Sequence, residues 1–303
     1  MITILGPTAS GKTTLAVHLA DELNGEVISA DSRQVYRGMS IGTGKDLSEY
    51  TVEGREIPYH LIDIAEPGHE YNVFEFQNDF QRAYSDILSR GKLPVLCGGS
   101  GMYLESVLRG YRMKKAIPDA ALEESLSEKT DGELKEILLS LKTQHNTTDL
   151  LDRTRMIRAI LIGMTPDEGP SVADFPERLP SLVFGIQRER TVLRERITAR
   201  LKTRLEQGMI EEVKELLNKG LTPDQIKFYG LEYRYIMLYL QQELDYQEMF
   251  LRLNTSIHQF AKRQMTWFRK MERNGVDITW MDGAESLDEK MDKIRLNSLS
   301  DSQ

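Results

Sequence analysis

The stretch "GPTASGKT", Gly6–Thr13, constrains this chain more than any other. It satisfies the full Walker A spacing, Gly-x-x-x-x-Gly-Lys-Thr. Such a loop needs a strand before it and a helix after it. "MITIL" supplies the apolar strand, and the segment from Lys12 carries Leu15, Leu19 and Leu23 on one helical face. The expected ligand is a di- or triphosphate. Across Gly6, Pro7, Thr8, Ala9, Ser10 and Gly11 the glycines would let backbone N–H groups turn toward the anion, while Lys12 would supply a point charge and Thr13 a hydroxyl for Mg2+. What happens to those phosphates has to be decided by other residues.

Short apolar runs alternate with helical patterns through the first half. "EVISAD", "YHLIDI", "LPVLCGG" and "LVFGIQ" are expected as further strands, with "ITWMD" as a returning edge strand. This alternation predicts an α/β fold, a parallel sheet flanked by helices with a small helical insertion. Ligands of such sheets sit at the carboxyl ends of the strands, where the loop, Asp31, Asp63 and Gly98–Gly99 all fall. The expected organisation is 1–113 as the first part of the core and 114–150 as the insertion. Residues 151–283 complete the core with a mostly helical part, and 284–303 form a polar tail. Within the insertion, Leu134, Ile137, Leu138 and Leu141 share one stripe. A proline-dense loop runs from Pro166 to Pro180. Leu193, Ile197, Leu201, Leu205 and Met209 recur every fourth residue, and a long helix is expected from about Tyr246 to Arg273.

Composition excludes several classes. The net charge of -8 excludes a wholly basic nucleic-acid binder, although seven Arg or Lys against two Glu lie between Arg188 and Arg204. One cysteine, Cys97, allows no internal disulfide, and its apolar surroundings suit a buried thiol. No apolar run approaches the roughly 20 residues of a membrane helix. "MITIL" runs straight into the loop, so no secretory signal is expected, and the chain is expected to be cytoplasmic and monomeric.

A phosphoryl-transfer enzyme should carry a magnesium aspartate after a buried strand. Asp63 in "HLIDI" is the candidate, and the "CGGSGMY" strand end holds no acid. Asp31 directly follows the second strand, where it can be a local cap or a general base. "GPTASGKT", "DSRQVYRGMSIGTGK", "HLIDI", "GGSGMYL" and "AKRQMTWFR" occur in one order across residues 6–269. Together they resemble the tRNA dimethylallyltransferases, also called tRNA isopentenyltransferases. The resemblance implies a P-loop kinase-like fold that moves a five-carbon prenyl group. Dimethylallyl diphosphate would be the donor, and N6 of the adenosine 3′ of the anticodon the acceptor. The loop would then hold a leaving diphosphate, with no phosphoryl transfer. Asp31 would take the proton from the adenine amine, and Thr8 and Arg200 would act on the diphosphate, with Mg2+ on Thr13.

The same resemblance implies contacts with the tRNA anticodon stem-loop from Asp31, Ser32, Arg33, Gln34, Ser100, Arg155, Arg158, Lys262, Arg263 and Gln264. By its own chemistry Gln264 can bond a base edge or cap local backbone, and Trp267 and Phe268 suit core packing. The sequence departs from the family pattern at "TTDLLD", at Gly230-Leu231-Glu232-Tyr233, where an acid replaces a basic position, and at Ile257-His258. Three other readings compete: an isopentenyltransferase for free AMP, ADP or ATP, a P-loop small-molecule kinase, and a non-catalytic RNA-binding paralog.

Overall fold

Six parallel strands in the order β5-β2-β6-β1-β7-β8 form the sheet that carries the loop. The computed structural model describes residues 1–111, 119–141, 150, 152–165 and 179–300, the side chains of 298–300 excepted. The chain opens with β1 (Ile2–Leu5), α1 (Lys12–Glu22) and β2 (Gly25–Ala30). A short 3-10 turn (Leu47–Tyr50) leads to the small hairpin β3 (Thr51–Val52) and β4 (Arg55–Glu56). Then come β5 (Tyr59–His60), α2 (Val73–Ser89), β6 (Leu93–Gly98) and α3 (Gly101–Leu108).

Residues 111–175 form a separate unit. It contains α4 (Ala120–Ser127), α5 (Asp131–Ser140) and α6 (Arg153–Met164), packed on Leu126, Leu134, Leu138, Met156 and Ile160. This unit takes in the Arg155–Arg158 helix as well as the stretch from 114 to 150. The expected boundary at 114, most of the "TTDLLD" departure and most of the proline-dense loop lie outside the described residues.

The first unit resumes with β7 (Leu182–Gln187) and α7 (Arg190–Glu206), then α8 (Met209–Asn218), α9 (Pro223–Phe228) and α10 (Leu231–Leu240). It ends with α11 (Tyr246–Arg273), β8 (Thr279–Asp282) and α12 (Leu287–Ser300). Strand residues point alternately to the two faces of the sheet. Ile2, Ile4, Val27, Val95, Cys97, Phe184 and Ile186 meet α1 and α12. The other face lies under α2, which contacts β2 and β6. Because both faces are covered, the central strands read as continuous apolar runs.

Three expectations change in detail. "YHLIDI" pairs only at Tyr59–His60, because Leu61 and Asp63 adopt left-handed φ of 64° and 55° and leave the ladder. The stripe from Leu193 to Met209 spans two helices. Gly208, at φ 100°, starts α8, yet Met209 stays in the same core. The polar tail is helical from Leu287, since Met291 and Ile294 recur at helical spacing and are buried against the α1 side of the sheet. Among the described residues no helix is long and apolar enough to cross a membrane.

Candidate active site

The loop follows β1 and turns into α1 at Gly11, whose φ of 93° lies in the left-handed region. Ala9 shares that region at 63° without being glycine. No side chain caps α1. The first N–H groups of the helix are therefore left for an anion, at the positive end of its dipole.

Arginines from β7–α7 hold this loop. Arg188 Nε donates to Ser10 O at 3.1 Å, Arg196 Nε donates to Ala9 O at 3.0 Å, and Arg200 Nη2 donates to Thr8 Oγ1. From α11, Gln264 Oε1 accepts from Thr8 N at 2.9 Å, while its Nε2 donates to Gly99 O at 2.9 Å. Gln264 is buried and occupied at both ends of its amide. In the free protein it braces the loop against the end of β6. Gly101 has no Cβ because the Trp267 ring packs directly over it. The "GGSGMYL" and "AKRQMTWFR" segments are thus two halves of one contact. Trp267 Nε1 donates to buried Glu105 at 2.9 Å, and Phe268 is fully buried, so both aromatics pack in the protein.

The charges at the loop are partly desolvated. Burial pushes the Lys12 ammonium below its ordinary value. Arg200 adds to the shift, and Cys97, Asp31 and Glu49 oppose it. Burial, helped by Arg204, brings the Arg200 guanidinium down to about 10, against the pull of Glu232, Asp46 and Glu49. Burial raises the Cys97 thiol to about 12, leaving it inert at neutral pH; the Thr13 hydroxyl bonds it and partly offsets the rise.

Asp31 ends β2 and its field reaches Lys12. Its Oδ1 accepts from Arg33 N at 2.9 Å, which closes a tight turn and caps no helix. Ser100 Oγ accepts from Ser32 N at 3.0 Å, tying this turn to the end of β6. Gln34 is engaged on both sides: Oε1 accepts from Ser29 Oγ at 2.9 Å and Nε2 donates to Gly44 O at 3.0 Å. The Arg33 guanidinium lies 5.1 Å from the centre of the Phe228 ring. Asp31, Ser32, Gln34, Ser100, Thr8, Lys12, Arg200 and Gln264 are therefore brought to one end of the sheet. Lys262 and Arg263 are exposed on α11. Arg155 and Arg158 are exposed one turn apart on α6, in the other unit.

Asp63 is not at the phosphate loop. It is paired with Lys45, whose side chain is fully buried. That contact removes the one candidate for a kinase-type magnesium aspartate. Sequence reasoning missed Arg188 as a loop contact, and it missed Glu212. The Glu212 carboxylate accepts from Ser40 N, Ile41 N and Gly42 N at 2.8, 2.8 and 3.0 Å, and from Tyr233 Oη at 2.7 Å. Nothing local in the sequence signals either partner set. The departures also find reasons. Tyr233 completes the Glu212 clamp, Ile257 is buried in the helical core, and His258 sits within 3.3 Å of Thr198 Oγ1 and Arg194 O.

The profile of the family described as IPP transferase matches residues 34–271, and a second, isopentenyl transferase, matches residues 1–59. The chain is 55% identical over 299 residues to "tRNA dimethylallyltransferase 2" of Bacteroides fragilis, covering 97% of this chain and 96% of that protein. It resembles the crystal structure of the full-length tRNA isopentenylpyrophosphate transferase of Bacillus halodurans, with TM-score 0.71, 32% identity and coverage of 99% and 95%. A eukaryotic dimethylallyltransferase, seen in snapshots acting on tRNA, matches with TM-score 0.76 at 25% identity, covering 94% of this chain and 74% of that one. This chain belongs to the IPP transferase family.

Proposed function

We propose that the protein transfers the dimethylallyl group of dimethylallyl diphosphate to N6 of the adenosine 3′ of the anticodon in tRNA, releasing diphosphate. The observation that carries this reading is the contact of Arg200 with Thr8, with Lys12 feeling both Arg200 and the Asp31 carboxylate. Cations for a leaving diphosphate and a base for an incoming amine thus converge at one strand end.

The N6 amine attacks C1 of the donor as the C1–O bond breaks, and that bond's electron pair leaves with the diphosphate. Neutralising the departing charge is the main catalytic demand. The first N–H groups of α1, Lys12 and Arg200 would meet it, in a site dry enough to shift the proton affinities of both side chains. Asp31 takes the amine proton as the C–N bond forms, a general-base role. The adenine amine is a weak nucleophile, because its lone pair is delocalised into the ring. The base has to leave the stack of the anticodon loop to reach Asp31. Arg155, Arg158, Lys262 and Arg263 are exposed and suited to phosphate contacts along that loop.

A divalent metal fits the donor set. The Thr13 hydroxyl, in the first turn of α1 beside Lys12, offers oxygen lone pairs for a cation. No cluster of three His, Cys, Asp or Glu ligands occurs among the described residues. That suits Mg2+, which keeps several waters and takes substrate phosphates as ligands. Bound at Thr13 it would supply Lewis-acid neutralisation of the diphosphate. We place the reaction in the cytoplasm and expect a monomer.

The test is mass analysis of nucleosides from tRNA incubated with the protein, Mg2+ and dimethylallyl diphosphate. A dimethylallyl adduct on adenosine next to the anticodon is expected. Adducts on free AMP but not on an anticodon stem-loop would reassign the acceptor. Transfer of the γ-phosphate from labelled ATP would make the protein a kinase.

A further inference from the structure

Arg188 and Arg196 touch the loop through carbonyl oxygens of its backbone. They make no ion pair with a described carboxylate and no bond to another side chain. A carbonyl belongs to the same peptide unit as the next N–H. Arg196 holds the Ala9 carbonyl, and the N–H of that unit, Ser10 N, bonds back to Pro7 O at 3.3 Å. The pair fixes the turn at Ala9, the one non-glycine loop residue in the left-handed region. Such a conformation costs of order 1–3 kcal/mol and persists only where neighbours impose it. Arg188 holds the Ser10 carbonyl, and the N–H of that unit, Gly11 N, has no partner among the described residues. A cation on the carbonyl polarises the peptide and makes its free N–H a stronger donor.

Arg188 is not a mobile surface charge. Its stem packs so closely over Gly283, just after β8, that a Cβ there would overlap it. Gly283 N in turn donates to Gln187 O at 2.6 Å. Burial, aided by Arg196, also lowers the proton affinity of Arg188. The side chain is threaded from the sheet edge to the loop.

We infer that Arg188 and Arg196 are positioning residues of the diphosphate site, acting through the Ser10 and Ala9 carbonyls to fix the loop and present the Gly11 N–H to the anion. This rests on the proposal that the loop holds the donor's diphosphate. The competing account is that the two arginines only add to a positive field. Arg190, the first residue of α7 and bonded to no loop atom, separates the two.

The experiment measures binding of inorganic diphosphate with Mg2+ by calorimetry, alongside tRNA binding on filters and thermal unfolding. Arg188→Ala and Arg196→Ala are each expected to weaken diphosphate about tenfold, below the 10²–10³ of removing a direct oxyanion donor. tRNA affinity should hold. Arg190→Ala should stay within about twofold, and Arg188→Lys and Arg196→Lys should recover part of the loss, since an ammonium can still donate to a carbonyl. Where an alanine variant unfolds, the lysine variant and Arg190→Ala decide. Unchanged affinity in both alanine variants overturns the inference, and so does an equal loss in Arg190→Ala. The underlying reading fails separately: in that case Lys12→Ala would bind diphosphate as well as the wild type.

Discussion

Around Thr8–Ser10 three arginines and a glutamine are already bonded to the loop, whereas Arg155, Arg158, Lys262 and Arg263 stand exposed with no ion pair to a described residue. In the proposed reaction the two sets would serve different anions. The donor side is organised before any ligand arrives, so its charges are partly dry and little screened by salt. The cations on α6 and α11 are solvated, so each is worth little alone and is screened by salt. Changes at the loop should therefore be large and salt-insensitive, and changes at the exposed cations of α6 and α11 small and salt-dependent.

The largest break is expected at Asp31. Asn keeps its shape and loses the base, so kcat should fall roughly 10²–10⁴-fold. Donor KM should barely move, because Asp31 bonds Arg33 N and no loop atom. Steady-state kinetics in both substrates check this, and a fall below about tenfold would reduce Asp31 to a turn-forming residue.

Lys12 comes next. Removing it should weaken diphosphate use by about 10²–10³, the usual cost of losing one stabiliser of a developing anion, and leave tRNA affinity unchanged. The pH dependence sharpens the point. Lys12 is held below its ordinary value and Arg200 lies near 10, both mainly through burial. A bound diphosphate restores their affinity for protons. Diphosphate affinity should thus be full below the free-protein values and fall as pH rises through them. Calorimetry from about pH 8 to about 10.5, up to the ordinary lysine value, should show this fall, starting earlier than an ordinary lysine would give and shallower in Lys12→Ala. A pH-independent affinity would mean that neither cation meets the anion.

Gln264 tests which side α11 serves. Gln264→Leu keeps the bulk but leaves Thr8 N and Gly99 O without their partner. Each buried group left unmet costs about 1–3 kcal/mol. Thermal stability should drop and donor KM should rise, with little change in RNA affinity. If RNA affinity falls instead and donor KM stays constant, Gln264 reads a base.

The sheet was legible because strand and helix periods are local. Leu15, Leu19, Val27, Val95 and Phe184 announce their faces within a few residues, and all five are buried. The phosphate loop with Lys12, Asp31 and Ser100 could be placed together because each lies just beyond the carboxyl end of a strand of a parallel sheet. The bonds among the site residues were not legible. Arg188, Arg196, Arg200 and Gln264 reach the loop across 178 to 256 positions, and no periodicity records a pairing of that span. Asp63 misled for a related reason. Its left-handed backbone takes it out of the strand, and its partner Lys45 looks from sequence like part of a glycine-rich loop. The tail hid its helix because only Met291 and Ile294 mark the buried face.

The smallest expected effect is the one that tests the proposed RNA contacts. Arg263 is exposed, and its guanidinium lies only 6.0 Å from the centre of the Phe260 ring on its own helix. Arg263→Ala should thus leave folding intact. If Arg263 meets a phosphate of the anticodon loop, each such single-strand contact contributes about −0.7 to the slope of log K against log salt, and a duplex contact about −0.9. The variant should bind an anticodon stem-loop more weakly and with a slope shallower by one contact. Arg155→Ala and Arg158→Ala on α6 should behave alike, and the reaction with free AMP should not change. Prenyl transfer to stem-loop and to AMP, measured side by side across a salt series, gives both answers. If AMP is the better acceptor and Arg263→Ala alters neither rate, these solvated cations have no polyanion to meet, and the contrast between the two ends collapses.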